Sequence, residues 1–426
     1  MKSGERAEID PGFFEWIADP DKLAELERVA FLMRANFPRT EGFSRAERDG
    51  KHILALLMKR TFRIENGRCE LAGEDEQEML MMDEVPYDRT VESPRSSPPL
   101  FMNDYVAVKR KTDVVVQGIA FAPEPTARRC EVSLRCDAIE RRIAVFGPRF
   151  GELDRAGRPR FSEPSTFEAV PLRYDFAFGG VDFDHLLAPY ADLPDDADVE
   201  LPPISDAHYP RNPCGKGYLI ELTPERFEGL ALPSLEDPDD PLTPERLAVG
   251  RPERWLRAPL PACWDWQSAA WFPRAGYLGL TPEVEGGVVP AEVKRGWAAS
   301  DILTIPPVHQ HPDRTLRIEL TQAASPGLAV ERLAPDASFE IRGMHPRRQR
   351  VAFRLPGEVP EAQLELSPGV LSSLEPHLDS VVVRPHRGEV VMLWSMRAVV
   401  PRRYTDEELG LLRRVVSFRS VRAGER

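Results

Sequence analysis

The sequence predicts a mainly β protein: antiparallel, sandwich-like sheets with long proline-rich loops and a few short helices, one of them N-terminal and one C-terminal. Three observations predict it. Apolar and polar residues alternate with a period of two in short runs spread between residues 57 and 366, the pattern of half-buried strands. Proline occurs 42 times in 426 residues, about twice the usual share of roughly 5%, which disfavours long unbroken helices. Apolar residues make up 42% of the chain, including 20 Phe, 8 Tyr and 7 Trp, a composition too hydrophobic for global disorder. At about 150 residues per domain, this length suggests two to three domains.

The elements follow in order. Asp19 before Pro20 opens a helix over 20–37, with Leu23, Leu26, Ala30 and Met33 at helical spacing, and Pro38 stops it. From 52 to 64 the period becomes two, and Met58, Arg60, Phe62 and Ile64 oppose Lys59, Thr61 and Arg63. Residues 105–122 are β-branched and aromatic, and Cys130, Val132, Leu134 and Cys136 share one face ahead of a turn at Asp137 and a partner strand carrying Ile143 and Val145. Thr223-Pro224-Glu225-Arg226 and Thr243-Pro244-Glu245-Arg246 each read as a short helix start. Strand patterns return at Leu316 to Leu320, Phe339 to Ile341, Val351 to Leu355 and Leu364 to Leu366, and Val381 and Val383 lead through Pro385-His386-Arg387-Gly388 to Val391 and Leu393 as a hairpin. Thr405 and Glu408 form a capping box for a final helix with Leu409, Leu412 and Val416 on one face and Arg413, Arg414 and Arg419 toward its end. The expected organisation is a helical extension over 1–50, a β-rich domain over 51–188, a Pro/Asp-rich connection with a short helix over 189–245, and a second β-rich domain over 246–426 ending in a helix.

Acidic residues outnumber basic ones by 69 to 56, a net charge of −13, which argues against nucleic-acid or anionic-membrane partners. The start of the chain lacks the apolar stretch of a secretory signal, no apolar run approaches the roughly 18 residues of a membrane span, and the five scattered cysteines contain no Cys-x-x-Cys pair. A cytoplasmic protein with reduced, mostly core thiols is expected.

No assembled chemistry stands out. His309-Gln310-His311 with Asp313 offers two ligands on one side of an extended backbone, half of a metal site with no second cluster, so no metal and no cofactor are expected. The phosphate-loop, dinucleotide and nucleophile-elbow patterns are absent, and Cys214 with His208 is the single local thiol–base pairing. The eight acids of Glu70 to Asp88, with no basic residue among them, read most simply as a solvated face. Trp264, Trp266 and Trp271 with Arg274 form a dense aromatic stretch suited either to a core or to partner binding.

A distributed set of motifs adds a resemblance. Lys59-Arg60-Thr61-Phe62, Asn103-Asp104, Lys111-Thr112-Asp113-Val114 before Gly118, Pro171-Leu172 with Ala177-Phe178-Gly179-Gly180, Asn212-Pro213-Cys214-Gly215-Lys216-Gly217, Trp271-Phe272-Pro273-Arg274 and Gly343-Met344-His345-Pro346 occur in that order. In this series the chain resembles the bacterial domain of unknown function 2169 family, some members of which act as adaptor chaperones for type VI secretion effectors. It departs at Pro306-Pro307-Val308-His309-Gln310, where many members have Ala-Pro-x-Asp-Gln. The resemblance implies a non-catalytic adaptor with two protein partners, a secreted effector and a secretion spike or spike-tip protein. It offers no catalytic residues, and it implies structural roles for Lys59, Thr61, Phe62, Asp104, Lys111, Asp113, Phe178, Gly179, Gly180, Asn212, Pro213, Gly215 and Gly217. The alternatives are a structural component of a contractile secretion-like particle and a hydrolase whose site assembles from distant loops. Acidic stretches at Glu70 to Asp88 and Asp182 to Asp206 suit attraction of a basic effector segment.

Overall fold

The computed structural model describes residues 40–48, 51–88, 97–106, 109–137, 139–188, 207–272, 274, 322–367 and 369–420. The helix expected at 20–37, the first part (189–206) of the connection expected at 189–245, His309-Gln310-His311 and the strand pattern at 316–320 lie outside these residues.

The protein is mainly β, built on one large curled mixed sheet with several small sheets and few short helices. Across the large sheet the strands run Leu235–Glu236, Ile139–Phe146, Arg129–Cys136, Ser338–Arg342, Arg350–Arg354, Arg68–Leu71, Lys51–Glu65, Glu389–Val400, Glu375–Arg384, Thr112–Val116 and Ala329–Val330, and Glu41–Arg48 pairs with the first half of Lys51–Glu65. Strands from the stretches expected as two separate β-rich domains thus alternate within one sheet.

Within the large sheet two of the described pairings are parallel, where antiparallel sheets were expected: Arg354 with Arg68, and Ser380–Val383 with Asp113–Val116. The second has a sequence cause. Strands covered on both faces carry unbroken β-branched runs instead of alternation, and Val114, Val115, Val116, Val381, Val382 and Val383 are all buried.

The hairpins form where local turn chemistry permits. Asn66 and Gly67 both take positive φ between the paired residues Glu65 and Arg68, as a two-residue hairpin turn requires. Asp137, φ 42°, opens the turn between Cys136 and Ile139. Pro385 to Gly388 closes the hairpin joining Glu375–Arg384 to Glu389–Val400.

Three helical expectations resolve differently. Thr223 caps a four-residue helix, Pro224–Phe227. The matching Thr243 stretch is a 3-10 turn without a side-chain cap. The Thr405–Glu408 capping box is present, but its helix is only Asp406–Leu411. Residues Arg414–Ser420 leave it to pair antiparallel with Glu358–Ser367, so Val416 and Arg419 belong to a strand. Alternation from Arg414 to Phe418 wins over helical spacing there, because Val416 and Phe418 pack on the cluster of Leu54, Leu56 and Met396. Arg414 and Arg419 answer Glu41 and Glu361 and do not sit at a helix end.

Candidate functional site

Motif residues meet at two places, a backbone clasp and a buried polar chain. The clasp joins Phe178–Gly179 to Lys216–Gly217 as a short parallel pair. Gly179 and Gly180 have φ of +151° and +109°, and a Cβ on Gly179 would lie 2.1 Å from the Asn212 carbonyl oxygen. Only glycine permits that approach. The Asn212 amide donates to the carbonyls of Tyr174 (2.7 Å) and Phe178 (3.0 Å). Gly215 abuts the same amide, Pro213 is buried, and Phe178 packs edge-on against Tyr209. The motif at 212–217 is therefore half of a two-segment lock.

Cys214 donates its thiol to Asn212 Oδ1 at 3.2 Å. Burial, reinforced by Asp175, holds its pKa well above that of an ordinary thiol, the opposite of an activated nucleophile.

The buried chain begins at Lys59. Its ammonium lies 2.8 Å from Asp104 and 2.7 Å from Glu78, and donates to the Met79 carbonyl. Burial opposes the charge, but the two carboxylates outweigh it and raise the Lys59 pKa. Burial likewise opposes the Glu78 carboxylate, yet Arg384 and Lys59 bring it down to about 2. Asp104, by contrast, is held by burial above the usual carboxylate range, against the pull of Lys59. Glu78 had been grouped with a solvated acidic face. Its place between Lys59 and Arg384 corrects that for this residue, while Glu74, Asp75 and Glu76 do stay exposed.

From Glu78 the chain continues without a gap. Arg384 Nη1 stands 2.6 Å from Glu78, Arg384 Nε donates to Gln117 (2.9 Å), and Gln117 donates to Asp265 Oδ1 (3.2 Å). Tyr87 donates to Asp265 Oδ2 (3.0 Å), and the Arg173 guanidinium stacks over the Tyr87 ring while pairing with Asp175 at 2.5 Å. Burial pushes Asp265 up to about 7, against the pull of the Trp266 amide, Tyr87 and Gln117. Of this chain, the sequence motifs had singled out only Lys59 and Asp104.

The remaining motif residues are placed plainly. Thr61 and Gln77 exchange hydrogen bonds through their backbone and side-chain groups, and the Thr61 hydroxyl accepts from Glu78 N. Phe62 packs edge-on to Trp394. Lys111 reaches exposed Glu331 at 3.4 Å, whereas the fully buried Asp113 pairs with Lys109 at 2.7 Å.

Trp264, Trp266 and Trp271 are 4%, 6% and 0% exposed, and Arg274 is 6% exposed. Of the two readings of this stretch, core or partner binding, the burial fits the core: Trp264 and Trp266 join the main cluster, Trp271 meets Tyr174 edge-on at 5.1 Å, and Arg274 donates to the Gln267 carbonyl. Trp266 and Arg274 nevertheless line a cleft of about 280 Å³ that also includes Asp104. Among the described residues no group of three or more His, Cys, Asp and Glu side chains is arranged to hold a metal, and no helix is long and apolar enough to cross a membrane.

The family model described as "Uncharacterized protein conserved in bacteria (DUF2169)" matches residues 49–395. No curated protein and no solved structure matches the chain.

Proposed function

The chain belongs to the DUF2169 family, and from that premise we propose that it is a non-catalytic, cytoplasmic adaptor that binds a cognate secreted effector and helps load it onto a type VI secretion spike. The observation that supports this reading is the use of the motif charges. Lys59 and Asp104 engage each other across 45 residues, and Asp113 holds Lys109 and the Ala323 amide. Together with the glycine clasp they tie segments that are distant in the chain to one another. A scaffold that spends Lys59, Asp104 and Asp113 internally suits a platform, since a preorganised surface avoids the ordering cost of association.

The test is co-expression of the tagged chain with the products of the genes that flank its own, a toxin among them being the expected partner. Co-elution through gel filtration, with loss of toxin export but not of toxin synthesis when the adaptor gene is deleted, is the expected result. Fixed-stoichiometry recovery of the chain in sheared, purified particles would replace the adaptor by a structural component, and turnover of a hydrolase substrate would replace it by an enzyme.

A further inference from the structure

The cleft lined by Trp266 and Arg274 has features that the scaffold does not use. Four carboxylates, Asp83, Glu84, Asp104 and Asp379, line it against two cations, Lys109 and Arg274. Both cations are already occupied, Lys109 with Asp113 and Arg274 with the Gln267 carbonyl, while Asp104 meets Lys59 and Asp379 meets Arg397 from outside the lining. At the mouth, Asp83 is exposed and Glu84 half-buried, with one Glu84 oxygen accepting from the Ala269 amide at 3.0 Å.

Deeper in, Asp379 is fully buried. Its Oδ1 takes three hydrogen bonds, from His377 Nδ1 (2.7 Å), Ser395 (2.9 Å) and Arg397 (2.9 Å), while its Oδ2 takes none. On the neighbouring strand Asp113, paired in register with Ser380, repeats the asymmetry: Oδ2 accepts from Lys109 and from the Ala323 amide, and Oδ1 has no partner. Buried carboxylate oxygens without donors are rare and costly. Two of them on adjacent strands, one belonging to a residue that lines the cleft, indicate a missing donor.

We propose, resting on the adaptor reading above, that this cleft receives one lysine or arginine side chain from an extended basic segment of the partner protein. The stem lies along Trp266 and Met102, which supply apolar and π surface, and the cationic head meets Asp379 beneath the Asp83 and Glu84 rim. The volume admits one long side chain and not a folded element. The acidic run Glu70 to Asp88 thereby acquires a division of labour: Glu78 braces the interior, and Asp83 with Glu84 forms an entrance.

The experiment uses the full chain and a fluorescein-labelled extended peptide of alternating Lys or Arg and Ser, with a Glu/Ser peptide as the charge-reversed probe, read by fluorescence anisotropy at two salt concentrations. Asp83→Asn with Glu84→Gln is expected to weaken binding of the basic peptide at least tenfold, and Asp379→Asn to weaken it further. Glu74→Gln with Asp75→Asn, exposed acids outside the cleft lining, is expected to change it less than twofold. Because the rim variants lie at the surface, they keep the test decisive even if Asp379→Asn fails to fold. Equal losses in the rim and remote variants, or no binding of the basic peptide to the wild type, would overturn the proposal. A second arm separates the two ideas. If the adjacent gene product co-purifies equally with wild type and the rim variant, the cleft is wrong and the adaptor stands. If the wild-type chain captures no such product, the adaptor reading falls, and with it the claim that the cleft's occupant is a partner's side chain.

Discussion

Lys59 and Asp104, separated by 45 residues, meet at 2.8 Å with both side chains almost wholly buried. Such a pair is costly to break singly, because the survivor is left as an uncompensated charge in the interior. Lys59→Met should therefore destabilise the protein by about 3–5 kcal/mol. The double variant Lys59→Met, Asp104→Asn should recover part of that loss, since Glu78 keeps Arg384. Urea denaturation of the three proteins measures both effects, and a double variant no more stable than the single one would contradict this account of the pair.

The clasp makes a sharper prediction at Gly179. Alanine there combines a φ of +151° with a Cβ 2.1 Å from a backbone oxygen. Gly157→Ala, at φ +75° with open space around it, faces the conformational penalty alone, about 1–2 kcal/mol. Thermal melts should place Gly157→Ala within reach of the wild type and Gly179→Ala far below it or insoluble.

Asp265 predicts a slope of stability with pH. Its pKa is about 7 in the fold against an ordinary 3.8, so the native state holds the proton more tightly than the unfolded chain. Stability from this group is greatest below about pH 4, falls as pH rises toward 7, and is flat above, a loss of about 4 kcal/mol. Asp265→Asn keeps an acceptor for Gln117 and the Trp266 amide and should remove that component. Denaturation midpoints from pH 4 to 8 for the two proteins, taken as a difference, report it directly.

His386 acts in the opposite sense. Burial, with Arg387, Arg384 and His345 nearby, lowers its pKa from 6.5 to about 3. The imidazole is neutral in the fold, and its contribution is complete above pH 6.5 and lost as pH falls toward 3. His386→Gln should flatten the acid limb of the stability profile while leaving the Asp265 slope in place.

All five cysteines are free, and burial raises every thiol pKa, that of Cys69 to about 12 and that of Cys130 to about 11. Alkylation of the native protein at pH 8 should be slow at each site and complete at all five in denaturant, followed by mass spectrometry.

Much of the sheet was legible because its signals are local. Alternation at 57–64 and 130–136, the loop at Pro385 to Gly388 and the Thr405 cap each depend on residues within a few positions of one another. The Asn66-Gly67 turn is equally local, with both residues at positive φ between paired neighbours. What stayed hidden was set by contacts distant in the chain. Nothing near Glu78 reveals that Lys59 and Arg384 will enclose it, and an acidic run looks the same whether one of its members is buried or none is. The tryptophan stretch showed density but not direction, and the burial of Trp264 and Trp271 is decided by Leu172, Tyr174 and their neighbours. The last strand was misjudged because its helix cap is real and the chain simply leaves the helix soon afterwards.

The long strand Lys51–Glu65 takes its broadest partner from Glu389–Val400, through a register running from His52 to Arg63. A ribosome adding roughly 5–20 residues per second therefore releases Leu54, Leu56 and Phe62 well before their neighbours have been synthesised. During that interval the nascent protein carries an open, greasy ribbon, and a stop codon anywhere before residue 389 leaves it permanently uncovered. Truncated products should be cleared by proteases or collect in inclusion bodies, so this polypeptide is an all-or-nothing commitment for the cell that makes it.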